Sequence, residues 1–178
     1  MKRLEAARSA LVLVDYQERL LPAIHRRDAV LEDALLLADV ARELGVRVVG
    51  TEQNPRGLGS NAPALRERCD VTVSKMHFDA CADGLLDQVG ASDVVIAGCE
   101  AHVCLLQTAL GLLEAGRQVF VVAPACGSRR PEDHALAMQR LRQAGAVLVS
   151  VEMAAFEWLR SCDHERFKGV LAMLKRRC

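Results

Sequence analysis

Six apolar, strand-like runs recur along the chain, at residues 9–16, 46–51, 71–75, 93–99, 118–123 and 146–151, and helical patterns separate them. Strands spaced this far apart cannot close as tight hairpins. They pair in parallel, and the intervening helices cover the sheet. The runs LVLV, VVIAG and VFVVA are continuous rather than alternating, as expected of strands buried on both faces. The expected fold is therefore α/β: a three-layer α/β/α arrangement around a six-stranded, mostly parallel sheet. At 178 residues the chain has the length of one such unit, residues 1–178, with no need of a disulfide, metal or partner merely to fold.

Between the strands, residues 28–44 keep Leu31, Leu35, Ala38 and Ala41 on one face, with Glu32, Asp33, Asp39 and Glu43 elsewhere. Pro131, Glu132 and Asp133 open another helix that ends near Arg140 and Arg142, and Gly145 follows it. The one long irregular stretch, residues 52–61, carries Pro55, Gly57 and Gly59, and such a loop in a compact α/β domain is usually functional.

Charge excludes several classes of partner. Lys+Arg and Asp+Glu are 23 each, so the formal net charge is +0 and nothing favours nucleic acid or an anionic membrane. The longest uncharged stretch, residues 103–113, is about half of what a bilayer requires. Residues 1–17 place two basic residues before a short apolar run that ends at Asp15 without a cleavage pattern, so they read as a first strand and the protein as cytoplasmic. Seven cysteines (69, 81, 99, 104, 126, 162 and 178) form no C-x-x-C pair, unlike a disulfide framework or a zinc ribbon. Gly57, Gly59 and Ala62 fit G-x-G-x-x-A but stand too far from strand two for a dinucleotide loop. Glu100 and His102 are too few for a metal site, and His25, His77, His134 and His164 default to packing or solvated roles.

In open parallel sheets ligands bind beyond the carboxyl ends of the strands. Strand one ends in Asp15 and then Gln17, strand three ends in Lys75, and strand four leads into His102 and Cys104. Against nineteen arginines the chain has only Lys2, Lys75, Lys168 and Lys175, and Lys75 alone lies away from the termini, which suggests a compact point charge beside another group. A thiol at the start of a helix meets free N–H groups that stabilise a thiolate, so Cys104 is expected to be reactive, whereas Cys69, Cys99, Cys126 and Cys162 read as core cysteines. If Asp15 is the base for that thiol, its removal is expected to raise the thiol pKa.

With these residues in view, the chain resembles the isochorismatase-like cysteine hydrolase superfamily, which includes nicotinamidases and carbamoyl-amide hydrolases. LVLVDYQ (11–17), TEQNPRGLGS (51–60), VSKMHFDA (73–80), GCEAHVCLLQTALGLLEAG (98–116) and SRRPEDHALAMQRLRQAGA (128–146) carry the resemblance. It implies a catalytic triad of Asp15, Lys75 and Cys104. It also implies an oxyanion hole from the backbone N–H groups of Glu100 and Cys104, and a non-proline cis peptide between Cys99 and Glu100. Where metal-dependent nicotinamidases carry an Asp-x-His constellation after strand two, this chain has Thr51, Glu52, Gln53, Asn54 and Pro55, so no metal and no cofactor is expected and nicotinamide is disfavoured as substrate. An acidic family position after strand five is here Pro124. Candidate substrate-binding residues are Gln17, Glu52, Gln53, Phe78, Cys81 and His102.

The implied activity is hydrolysis of a small amide or related C–N substrate through a thioester. Alternatives are isochorismate-type vinyl ether cleavage, against which Cys104 counts, a noncatalytic binding or scaffold protein retaining the fold, and a thiol redox sensor needing Cys81 or Cys99 close to Cys104. Because the helix over residues 103–113 is apolar on nearly all sides, something must cover it: the C-terminal helix at residues 165–175 or another subunit. A homo-oligomer, dimer or larger, is expected.

Overall fold

A computed structural model describes residues 3–176; Lys2 and Cys178 lie outside the described residues. The strands are β1 (Ser9–Val14), β2 (Arg47–Gln53), β3 (Val71–Lys75), β4 (Asp93–Gly98), β5 (Val119–Val122) and β6 (Val147–Val149). They form one sheet in the order β3-β2-β1-β4-β5-β6, with every pair parallel. The helices are α1 (Arg27–Glu43), α2 (Pro55–Leu58), α3 (Pro63–Arg66), α4 (Leu85–Val89), α5 (Leu106–Glu114), α6 (Pro131–Gln143), α7 (Val151–Leu159) and α8 (Phe167–Lys175).

Composition of the strands explains their order. β1 and β4 are buried along their whole length, and these two occupy the centre. β3, with Thr72 and Ser74, is mostly half-buried and takes one edge. Crossovers carry the chain outward from β1 through β2 to β3, then back across to β4 and outward through β5 to β6. The direction reverses between β1 and β4, which opens a crevice beyond their carboxyl ends.

Helix-end chemistry follows the sequence. α6 begins at Pro131 with Glu132 and Asp133 in its first turn and Arg140 and Arg142 in its last, complementing the helix dipole. The hydroxyl of Ser150 caps α7 by accepting from the Met153 N–H at 3.1 Å. Among the described residues no helix is long and apolar enough to cross a membrane.

The expected helix over residues 103–113 departs from expectation in two ways. It starts as a π-helical turn, Ala101–Leu105, before continuing as α5. Nor is it covered by the C-terminal helix: α8 packs on α1 and α7 across the sheet, while α5 is flanked by α6 and the short turn Ala80–Asp83. The apolar count of α8 serves the opposite layer, which pattern alone could not assign. Val103, Leu110 and Leu113 stay only partly buried.

Gly98 lets β1 and β4 approach, since a Cβ there would overlap the carbonyl oxygen of Val14 and lie 2.5 Å from its Cβ. Gly98→Ala is expected to destabilise the protein by about 2 kcal/mol or more, because the obstacle is strand backbone that cannot yield. A melting temperature within about 1 °C of the wild type would contradict that packing.

Candidate functional site

Register brings the strand ends together. Val14 lies beside Thr51 on one side and Gly98 on the other, while Gln53 lies beside Lys75. Asp15, one residue beyond β1, takes the left-handed conformation at φ 52°, which aspartate tolerates better than most residues. On β2, Thr51 and Gln53 share a face because side chains alternate. Beyond β4 the cis peptide between Cys99 and Glu100 is present as expected. The π-helical turn then delivers Cys104, which is 6 % exposed.

Asp15 and Lys75 form an ion pair, Oδ2 to Nζ 2.8 Å, with both side chains fully buried. The Lys75 ammonium also donates to Gln53 Oε1 at 2.6 Å and reaches the carbonyls of Phe78 and His77 at 3.3 and 3.4 Å. Thr51 Oγ1 donates to Asp15 Oδ1 at 2.6 Å. Asp15 Oδ2 is the oxygen paired with the ammonium, and the same carboxylate interacts with the Cys104 thiol. Cys104 Sγ lies 3.8 Å from Gln53 Oε1, and Gln53 Nε2 donates to the Met76 carbonyl at 2.8 Å. One amide thus links the ammonium, the thiol and the loop after β3.

Burial, and secondarily the charge of Asp15, push the Cys104 thiol up to about 12, against an opposing pull from Lys75. This corrects two expectations. Cys104 is not a resting thiolate at a helix start, because it stands near the end of a π-helical turn and burial outweighs the free N–H groups. The sign expected for removing Asp15 also reverses, since the carboxylate's charge is among the causes that raise the thiol pKa.

The loop after β3 is held from both sides. Asp83 accepts from the N–H groups of Met76 and His77 at 2.9 and 3.0 Å, and those hydrogen bonds lower its pKa. Thr108, one turn beyond Cys104, donates to Phe78 O at 3.3 Å and accepts from Ala80 N–H at 3.1 Å. The Asp79 carboxylate lies where a Cβ on Gly111 would be. Phe78 therefore contributes its carbonyl to Lys75, while its ring is 51 % exposed.

Several proposed substrate contacts are committed elsewhere. Gln17 is fully buried, and its amide donates to Gln53 O (3.0 Å) and Gly59 O (2.6 Å) and accepts from Gln53 N–H (2.9 Å). It clamps the loop after β2, having a side chain whose length and donors suit that gap. Glu52 faces away from Gln53 and accepts from Asn61 N–H at 2.8 Å. The Cys81 thiol turns to Thr108 O at 3.8 Å and is raised to about 12 by burial and then by Asp79. His102 Nδ1 contacts Ser128 Oγ at 2.9 Å, and Glu100 Oε2 accepts from Arg129 N and Nε at 3.1 and 2.9 Å. Thr51 is the contact that sequence reasoning missed, since a lone threonine on a buried strand has no distinguishing pattern.

Pro124 borders a separate cavity of about 450 Å³ between α1, residues 123–128 and α6. Asp15, Lys75 and Cys104 do not line it. The converging strand ends lie apart from this cavity. Among the described residues no group of three or more His, Cys, Asp and Glu is placed to hold a metal.

Asp15→Asn is expected to lower the Cys104 pKa from about 12, because a charge that raises it is removed while Lys75 remains. The pH dependence of Cys104 alkylation reads this directly, and an alkaline inflection that stays put or moves up would refute the coupling.

The isochorismatase domain family matches residues 9–153. Mouse isochorismatase domain-containing protein 2A is 36% identical over 170 residues, spanning 94% of this chain and 82% of its own length. The MAR1 ribonuclease structure from Caenorhabditis elegans superposes with a TM-score of 0.93 at 34% identity, covering 98% of this chain and 93% of that one. YcaC from Pseudomonas aeruginosa, solved with hexane-2,5-diol and covalent acrylamide, gives a TM-score of 0.88 at 28% identity over 97% of this chain and 91% of its own. The sheet order, the strand-end residues and these matches agree, and the chain belongs to the isochorismatase family.

Proposed function

We propose that the protein is a cysteine hydrolase acting on a small amide or related C–N substrate through a thioester. The observation that carries this reading is the convergence of a buried thiol and ammonium on one Gln53 side chain, with the ammonium paired to the Asp15 carboxylate. With the thiol raised to about 12, the nucleophile must be made on demand by transfer of the Sγ proton to Asp15. The thiolate attacks the carbonyl carbon, and the oxyanion rests on the backbone N–H groups of Glu100 and Cys104. Asp15 returns the proton to the departing amine. Water, deprotonated by Asp15, then cleaves the thioester, releasing the acid and restoring the thiol. Lys75 offsets the negative charge that moves between oxygen and sulfur.

A covalent acrylamide in the Pseudomonas relative supports an electrophile of this size. Vinyl ether cleavage does not call for a thiol, and Cys104 favours the amidase reading over it. The nematode relative's description as a ribonuclease makes RNA one arm of the activity screen. After strand two, Glu52 accepts from Asn61 N–H and Gln53 accepts from the Lys75 ammonium.

Cys104→Ala is expected to abolish turnover in an amide screen, with loss of the trapped acyl-Cys104 species by mass spectrometry and little change in melting temperature. Hydrolysis within about tenfold of the wild type would refute the nucleophile. Chelators are expected to leave activity unchanged; one zinc or iron per chain by elemental analysis would contradict this.

We also propose a homo-oligomer, supported by the partly exposed Val103, Leu110 and Leu113 and by the exposed Met76 and Phe78 near the site. Sedimentation equilibrium is expected to show a dimer or larger, with an interface above roughly 1,000 Å²; a species of only 19.4 kDa would overturn it.

A further inference from the structure

Thr51 is fully buried on β2, where a valine would serve packing equally well, yet its hydroxyl is spent on one acceptor, Asp15 Oδ1, at 2.6 Å. Its backbone is committed too: Thr51 O accepts from Asp15 N–H at 3.2 Å and from Asn61 Nδ2 at 2.9 Å. The hydroxyl and the carboxylate are therefore fixed relative to each other at both main chain and side chain. With Oδ1 taken, the carboxylate presents Oδ2 to Lys75 and to the thiol.

We propose that Thr51 is a positioning residue that keeps the resting proton on Cys104 by stabilising Asp15 in its charged form. This rests on the reading of Asp15 as the base for that thiol. A hydroxyl donating to a carboxylate is worth more than the same hydroxyl against a neutral acid. When the proton moves, the S–H bond breaks, an O–H bond forms on Asp15, and the negative charge passes from oxygen to sulfur. Thr51 opposes that step in the empty site. The groups facing the carboxylate are Lys75 from β3, Cys104 from the π-helical turn and Cys99 at the end of β4. Of these only Lys75 favours the ion, and Thr51 is the neutral donor that adds to it. The chemical benefit is protection, since the thiolate and not the thiol is the form open to oxidation and alkylation.

The test is iodoacetamide alkylation of Cys104 at neutral pH, followed at the Cys104 peptide by mass spectrometry so that the other cysteines do not interfere. Thr51→Val, nearly isosteric, is expected to speed alkylation about tenfold, the differential worth of one hydrogen bond to a charged acceptor. Thr51→Ser, which keeps the hydroxyl, is expected within about twofold of the wild type. In an Asp15→Asn background the valine substitution is expected to add nothing, because the carboxylate it acts through is gone. A general loosening of the site would instead speed alkylation in both backgrounds, and that result overturns the proposal. So does a Thr51→Val rate equal to wild type while Asp15→Asn differs from it. If Asp15→Asn alone leaves the alkylation profile unchanged, the reading of Asp15 fails, whatever Thr51→Val does.

Discussion

A lysine and an aspartate buried together without solvent lose several kcal/mol of hydration each, and their attraction repays it only where the remaining donors and acceptors are met. Around Asp15 and Lys75 those needs are met one by one: Thr51 on Oδ1, Gln53 Oε1 and two carbonyls on the ammonium. The partners come from β2 and from the loop after β3. The pair is thus stable only when β1, β2 and β3 are in register, while the pairing of β4 with β1 places the thiol. Breaking the pair by deleting one charge would leave the other buried and uncompensated, at a cost of about 3 to 5 kcal/mol.

The opposite wall of the site is tied by backbone hydrogen bonds and by the Arg129–Glu100 ion pair. Residues 98–102 and 127–129 run side by side: Gly127 N–H to Gly98 O at 3.1 Å, Ala101 N–H to Gly127 O at 2.7 Å, and Arg129 N–H to Glu100 Oε2 at 3.1 Å. His102 and Ser128 continue the contact. The segment bearing Glu100 is therefore held by the loop after β5, although β5 supplies no reacting group. On the other flank Thr108 and Gly111 of α5 hold the loop whose carbonyls receive Lys75. The π-helical turn that carries the thiol thus runs directly into the helix that fixes the lysine's cradle.

The alternation of apolar runs made the layer order and the parallel sheet legible, because burial on both faces leaves a direct mark on composition. Asp15, Lys75 and Cys104 could be found as the residues that leave the strands. What could not be read was direction. Whether Gln17, Glu52 or Cys81 faces a ligand or a backbone group depends on loop geometry that no period encodes, and all three turned to the protein. The state of the thiol was misread for a related reason. Helix position favours a thiolate, but burial depends on what the rest of the chain lays over the site, and here burial is the larger effect.

A thiol held at about 12 is inert to bulk base, yet it has a specific acceptor beside it in the Asp15 carboxylate. Such a group gains reactivity only from a change inside the site. In the proposed hydrolase reaction a bound carbonyl compound would supply that change: it would exclude remaining water and, as the tetrahedral state forms, move the new negative charge from sulfur to an oxygen that backbone N–H groups can hold. The charge would then sit farther from Asp15, whose acid form would protonate the leaving nitrogen. In that proposed step Asp15, whose charge adds to burial in raising the resting thiol, becomes the proton donor for the second half, so the raised thiol pKa is part of the proposed chemistry rather than an obstacle to it.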